Sequence, residues 1–232
     1  MDVRKEYCVL GDSVILGIVY DEEKGKYSIL RDGPIAEIVR LPHVHVTNMS
    51  RMGQTSVQAE EKFRSAVDSG YRADVVVIEL GGNDCNFDWR VVSEDPSRNH
   101  GPLVPLADFR DSLRSIISIA RGSGITPIIS TLPPLAPVKF FDWITREGLS
   151  KANIMSFLGD ISRIYRWQEL YSLEAAMVAL VSGVRLMPLR DVFLAEKEYQ
   201  KNICKDGIHP NAQGQRLIKA AIGQYFASSE VK

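Results

Sequence analysis

Val9-Leu10-Gly11-Asp12-Ser13-Val14 is the stretch from which the fold can be read. The apolar run Tyr7-Cys8-Val9-Leu10 predicts a short buried strand. It stops at Gly11, and Val14-Ile15-Leu16-Gly17-Ile18 predicts a helix or helical turn directly after it. Ser13 then stands at a strand-to-helix corner, with its hydroxyl at the sheet edge and its amide at the positive end of the following helix. That position suits a nucleophile, because negative charge develops on the substrate oxygen beside it. Asp and Ser are also ordinary turn and helix-cap residues, so the tripeptide has a plain structural reading as well. The rest of the chain decides between the two.

Four further stretches predict strands: Val44-His45-Val46-Thr47-Asn48, the nearly continuous apolar run from Asp74 to Leu80, Thr126 to Leu132, and Val184 to Pro188. Helical spacing separates them. Val57, Phe63, Ala66 and Val67 predict one helix, and Phe109, Leu113, Ile116, Ile117 and Ala120 predict another. Residues 148–182 are mostly helix in two pieces, with Trp167, Leu170, Leu173, Met177 and Leu180 as the expected core stripe of the second. A last helix turns Leu217, Ile218, Ala221, Ile222 and Tyr225 inward. Strands and helices alternate five times, which predicts a three-layer α/β/α domain on a five-stranded parallel sheet. Ligands of such sheets bind beyond the carboxyl ends of the strands, the edge on which Ser13, Gly53, Asn83 and the Pro133-Pro134 loop all fall. The charged stretch from Asp21 to Lys26 and its neighbours, with a turn at Asp32-Gly33-Pro34, is expected to be a solvated loop rather than a short strand pair.

A single domain over residues 1–232 is expected, with a long substrate-side loop at about 85–105 where Pro96, Gly101, Pro102 and Pro105 break any periodicity. Net charge is −1 with no basic block, so nucleic acid is not an expected partner. Cys8, Cys85 and Cys204 are odd in number and far apart, which excludes a disulfide framework and a zinc pattern. No apolar run approaches the ~18 residues of a membrane span, and the first strand starts too soon for a signal peptide. A reducing compartment and a cytoplasmic location are therefore expected.

Asp206-Gly207-Ile208-His209-Pro210 closes the constellation. Pro210 suits the first helical position, which would put His209 at or near the N-cap of the last helix. One turn of chain brings the Asp206 carboxylate to one ring nitrogen of His209 and leaves the other for a serine. A surface Asp-His pair beside a helix cap is the plainer alternative. His43, His45 and His100 lack such a partner in sequence and are expected to be structural or exposed. Ser13 is not set in Gly-x-Ser-x-Gly, which disfavours an α/β-hydrolase elbow.

Gly11-Asp12-Ser13, Gly53 after Asn48, Gly81-Gly82-Asn83-Asp84 and Asp206-Gly207-Ile208-His209-Pro210, in this order, resemble the SGNH hydrolases, also called GDSL-like esterases and lipases. The resemblance spans nearly the whole chain. It implies a flavodoxin-like sheet, no metal and no organic cofactor. It further implies Ser13 as nucleophile, His209 as base and Asp206 as acid, with an oxyanion hole made of the Ser13 and Gly53 amides and the Asn83 side chain. Val9-Leu10 lacks the Phe often seen before Gly-Asp-Ser, a departure that leaves the chemistry untouched. Asp12 and Asp84 read as structural hydrogen-bonding residues.

The implied activity is a serine esterase of the lipase/acylhydrolase type acting on a small-molecule, carbohydrate or lipid ester. An acyltransferase would use the same triad with an alcohol in place of water, and a non-catalytic binding module on the same fold is a further alternative. Phe87-Asp88-Trp89 follows the Asn83 loop, and Phe141-Asp142-Trp143 follows the Pro133-Pro134 loop. Both loops leave the carboxyl edge of the sheet, so Phe87, Trp89, Phe141 and Trp143 are candidates to bind substrate beside Ser13, or to pin the loops to the domain. Oligomeric state is not legible in the sequence.

Overall fold

The computed structural model describes residues 4–228. The chain runs β1 (Lys5–Gly11), β2 (Ile18–Asp21), β3 (Lys26–Ile29), α1 (Pro34–Val39), β4 (Val44–Asn48), α2 (Ser56–Asp68), β5 (Val75–Glu79), α3 (Trp89–Glu94), α4 (Leu106–Gly122) and β6 (Thr126–Ser130). It continues through α5 (Pro137–Ile144), α6 (Lys151–Leu158), α7 (Ser162–Val181), β7 (Arg185–Met187), α8 (Asp191–Leu194) and α9 (Ala212–Ser228). The main sheet has five strands in the order β4-β1-β5-β6-β7. All its pairings are parallel, and β1 lies between β4 and β5 with Tyr7 opposite both Val46 and Val75. Counted along the sheet's own strands this is 2-1-3-4-5, the flavodoxin-like order.

The strands read as unbroken apolar runs because both faces are covered. Cys8, Leu10, Val76, Ile78 and Ile129 face a core built with α2, α4 and α7. Tyr7, Val9, Val75, Val77 and Ile128 face the opposite core, which includes Ile38 of α1 and Ile218, Ile222 and Phe226 of α9. A third apolar cluster joins Trp89 and Val92 of α3, Phe140 and Phe141 of α5, and Ile154 and Leu158 of α6. The segment expected to be a long loop at about 85–105 contains a short helix. Asp88 caps it by accepting from the amides of Arg90 and Val91 at 3.1 and 3.2 Å, a local signal that six residues of amphipathic pattern are too short to advertise.

Two expectations are corrected. The charged stretch after Ile18 is an antiparallel ribbon of β2 and β3, with Tyr20 paired to Tyr27. In α7 the buried residues are Ile164, Gln168, Tyr171, Ser172, Ala175, Val178 and Ala179. The stripe of Leu170, Leu173, Met177 and Leu180 is exposed, and Trp167 is only partly buried. The two stripes are offset by one residue, a rotation of roughly 100° about the helix axis. Small residues at 172, 175 and 179 let α7 approach its neighbours closely, which the bulkier stripe would prevent. Of the inward residues expected in α9, Ile218, Ala221 and Ile222 are buried and Leu217 and Tyr225 are partly so.

These faces separate two substitutions. Tyr171 is 0% exposed and its hydroxyl donates to the Val104 carbonyl at 2.6 Å; Tyr171→Ala should cost ~3–5 kcal/mol, the range for emptying a large aromatic site. Leu180 is 73% exposed, and Leu180→Ser should shift stability by no more than ~0.5 kcal/mol. Urea unfolding of both variants checks the assignment, and a reversed order would restore the other stripe as the core face.

Candidate active site

Ser13 follows β1 directly. Gly11, the last residue of that strand, has no room for a side chain: a Cβ there would lie 2.3 Å from Ile15 Cγ2 and 3.0 Å from the Glu79 carbonyl oxygen. The segment after Ser13 is a single turn, closed by Gly17 N–H to the Val14 carbonyl at 3.0 Å and Ile18 N–H to the Ser13 carbonyl at 3.0 Å. It leads into β2, so of the helix or helical turn expected after Ser13 the turn is what forms, and no helix terminus stands behind the serine. Among the described residues neither the Ser13 nor the Gly53 amide donates to another group of the protein.

The Ser13 hydroxyl donates to His209 Nε2 at 2.8 Å, and His209 Nδ1 meets Asp206 Oδ2 at 2.6 Å. With the Nδ1 proton directed at the carboxylate, Nε2 is the free acceptor. All three side chains are buried. Burial raises the Asp206 pKa, but the bond and charge of His209 and the amides of Ile208 and His209 together outweigh it and hold the carboxyl below its usual value. Those amides donate to Asp206 Oδ1 at 3.0 and 3.1 Å. The loop is pinned from both ends: Cys204 N–H donates to the His209 carbonyl at 2.7 Å, and Ala136 N–H donates to the Gly207 carbonyl at 2.8 Å. Gly207 has φ +77°, and a Cβ there would lie 2.2 Å from Phe140 N. Helix α9 begins later than expected. Asn211, not His209, caps it, accepting from Gln213 and Gly214 at 3.0 and 3.1 Å. Pro210 instead pairs with Ile203 in a β-bridge.

Tyr27, on the ribbon expected to be a solvated loop, packs its ring 5.1 Å from His209. Burial and the Asp206 charge raise its pKa, so the phenol stays protonated beside that carboxylate. Alternation of Tyr20 and Tyr27 around a Lys-Gly-Lys turn was the available signal, masked by five charges between Asp21 and Lys26. His45 bonds Glu6 at 2.5 Å and His100 bonds the Asp95 carbonyl at 2.7 Å.

Behind Ser13 lies a buried pair of acids. Asp12 Oδ1 accepts from Val14 N–H at 2.8 Å and Oδ2 from Asn83 Nδ2 at 3.1 Å. Burial pushes its carboxyl up to about 6. Glu79, at the end of β5, is raised well above its ordinary value, first by burial and then by the charge of Asp12. The two carboxyls are within hydrogen-bond reach, and Glu79 Oε2 meets no donor. A single proton resolves both facts: Glu79 holds it and donates to ionised Asp12, which is already served by an amide and by Asn83. Asn83 lines the cavity, and its Nδ2 also donates to the Gln54 carbonyl at 3.0 Å. In this state both of its donor hydrogens are engaged. Asp84 accepts from the amide of Ser56, in the first turn of α2, at 2.9 Å. Gly53, at φ +75°, is exposed and does not line the cavity.

That cavity, about 900 Å³ including its mouth, runs from Ser13 and His209 into the third apolar cluster. Phe87, Trp89, Phe140, Phe157 and Trp167 wall it. Of the four aromatic residues singled out in the sequence, Phe87 and Trp89 are on this wall. The other two are not. Phe141 is buried in the third cluster, and Trp143 meets Tyr20 edge to face at 4.8 Å with Arg146 over its ring at 3.7 Å. On the helix α5 these residues alternate around the axis, so only Phe140 turns to the cavity. Phe157 and Trp167 lay outside the sequence reading because nothing local places α6 and α7 over Ser13.

The acid pair sets a pH dependence. An unfolded Glu titrates near ~4.3, whereas folded Glu79 keeps its proton to higher pH. Between those two values the native state binds the extra proton, so the contribution to stability is full below the lower value and is lost as pH rises through the folded one. Glu79→Gln retains a donor toward Asp12 and should flatten the fall in stability that wild type shows above pH ~5. Urea midpoints of both proteins from pH 5 to 8 check this, and parallel curves would remove the shared proton.

Residues 9–217 match the family model of the GDSL-like lipase/acylhydrolases. The chain is similar to the GDSL esterase/lipase CPRD49 of Arabidopsis thaliana, at 25% identity over 165 residues, which make up 70% of this chain. The match spans 58% of that relative's length. Its fold resembles a mutant acetyl-xylooligosaccharide esterase from Geobacillus stearothermophilus, with a TM-score of 0.68, 18% identity and coverage of 100% of this chain and 99% of the other. It also resembles a lipase/acylhydrolase from Enterococcus faecalis, with a TM-score of 0.63, 18% identity and coverage of 97% and 96%. The matched span takes in Ser13, Gly53, Asn83, Asp206 and His209, and the chain belongs to the GDSL-like lipase/acylhydrolase family.

Proposed function

We propose that this chain is a carboxylic ester hydrolase that works through a Ser13 acyl-enzyme. The observation that carries the reading is the unbroken hydrogen-bond chain from Ser13 to His209 to Asp206, at 2.8 and 2.6 Å, opening on an apolar cavity. His209 Nε2 takes the Ser13 proton as Oγ attacks the ester carbonyl carbon. Asp206, held ionised, stabilises the imidazolium that results. The free amides of Ser13 and Gly53 and the Asn83 side chain are the donors proposed for the oxyanion. Asn83 must then share or exchange one of its present acceptors, Asp12 and Gln54. His209 returns the proton to the leaving alcohol, and water, activated in the same way, releases the acid. The domain proposed spans the whole chain, with residues 85–105 forming a substrate-side wall. The names of the similar proteins, an acetyl-xylooligosaccharide esterase and a lipase/acylhydrolase, support an ester substrate for this chain too.

Ser13→Ala should end covalent labelling by a fluorophosphonate probe and lower kcat by ~10⁴-fold or more, with an unchanged melting temperature. Labelling or turnover that survives the substitution would sink the mechanism. Asn83→Ala should lower kcat by ~10²–10³ with little change in KM; a loss confined to KM would deny it an oxyanion role. Adding a nucleophilic alcohol to the assay and analysing products separates hydrolysis from acyl transfer, and hydrolysed acid is expected to dominate.

A further inference from the structure

Resting on the ester-hydrolase reading above, we infer that Glu79 is a positioning residue for the reaction: its carboxyl group, as hydrogen-bond donor, fixes the Asp12 carboxylate, and Asp12 in turn aims the Asn83 amide that serves the oxyanion. The three side chains meet at the carboxyl edge of the sheet. Gly11, the last residue of β1, is paired with Glu79, the last residue of β5. Asp12 is thus the first residue beyond the paired ends, and Asp12, Glu79 and Asn83 line the cavity together with Ser13. Asp12 Oδ1 accepts from the Val14 amide at 2.8 Å, and Oδ2 accepts from Asn83 Nδ2 at 3.1 Å. Glu79 is the third group that bonds this carboxylate.

Filling of the strand end does not explain an acid here. Glu79 is 1% exposed and ends a strand whose other residues are Val75, Val76, Val77 and Ile78. Among the described residues no lysine or arginine acts on it or on Asp12. His209 is the basic group that acts on Asp12, and the Asp84 charge opposes a further negative group. A buried carboxyl in that setting costs more than the apolar residue a parallel strand would take. What an apolar residue lacks is an O–H for Asp12. Oxyanion donors act through preorganisation, so an amide held by a carboxylate that is free to turn is poorly aimed. With Glu79 bonded, Asp12 has three partners and cannot turn without breaking at least one bond. The proton also leaves one negative charge behind Asn83 rather than two. Of the two Asn83 bonds, the one to the neutral Gln54 carbonyl at 3.0 Å is then the one exchanged for the oxyanion, and the one to Asp12 stays.

The test reads kcat on a p-nitrophenyl ester, normalised to the sites titrated to completion by a fluorophosphonate so that only folded enzyme counts. Glu79→Met keeps the length of the side chain and removes its donor. It should lower kcat ~10-fold, the effect of one hydrogen bond, and leave KM within ~2-fold of wild type. Glu79→Gln keeps a donor and should hold kcat within ~2-fold of wild type. In an Asn83→Ala background, Glu79→Met should change kcat by less than ~2-fold, because the group through which Glu79 acts is gone. Glu79→Leu takes the place of Glu79→Met if the latter does not fold. An unchanged kcat in the Met variant, a loss confined to KM, a Gln variant as slow as the Met variant, or a loss that persists in full without Asn83 overturns the inference and leaves the esterase reading standing. Failure of wild type to take up the fluorophosphonate overturns both.

Discussion

The hydrogen bond between Ser13 and His209 joins residues 196 apart in sequence, and the arrangement of the molecule serves to hold its two ends. At one end Ser13 is delivered by β1, which is fixed on both sides by β4 and β5 and packed on both faces. At the other, His209 sits on a loop with almost no regular structure. Its position comes from the bridge of Ile203 with Pro210, the Cys204–His209 backbone bond and the seat of Gly207 against α5. A bond of this kind tolerates little error: displacement of reacting groups by about 1 Å can cost ~10²-fold in rate. That tolerance accounts for two glycines, Gly11 and Gly207, at places where even a methyl group would collide with backbone or a neighbouring side chain.

The same small region keeps its acids in opposite states. Asp206 is surrounded by donors, an imidazole and two amides, and stays ionised despite burial. Glu79 has an acid as its neighbour and keeps its proton. With Glu79 protonated, the two remaining carboxylates, Asp206 and Asp12, each have hydrogen-bond donors, and no buried charge is left uncompensated. Asn83 ties Asp12, and through it Glu79, to the loop at Gln54. The buried thiols stand apart from this chemistry, since burial pushes Cys204 up to about 11 and raises Cys8 and Cys85 as well.

The wall of the cavity belongs to a different layer. Helices α3, α5, α6 and the start of α7 form their own apolar cluster over the sheet edge. Arg190, itself buried, anchors it from below by donating to the Leu132 carbonyl and to Gln168. Rings from separate segments meet there: Phe87 lies 5.3 Å from Phe157 and 5.7 Å from Trp167. Change in this layer can alter the cavity wall while Ser13 stays at the end of β1 and Asp206 and His209 stay on their own pinned loop.

The sequence by itself determined the five strands of the sheet, their alternation with helices, and the residues that gather at its carboxyl edge. Those features are local: a strand buried on both faces must be apolar throughout, and Gly, Asp and Asn mark its ends. Ser13, Asp206 and His209 were legible for the same reason, each lying in a short motif next to such an end. The face of α7 was not, because periodicity fixes a stripe only up to rotation, and Leu170, Leu173, Met177 and Leu180 are as regular as the stripe that is buried. Likewise Phe140, Phe141 and Trp143 share helix α5, whose turn sends each to a different neighbour. Tyr27 over His209, Trp167 against Phe87 and the proton shared by Glu79 and Asp12 all depend on partners far away in the chain. Only the tertiary structure decided them, since a contact across the sheet edge leaves no period in the sequence on either side.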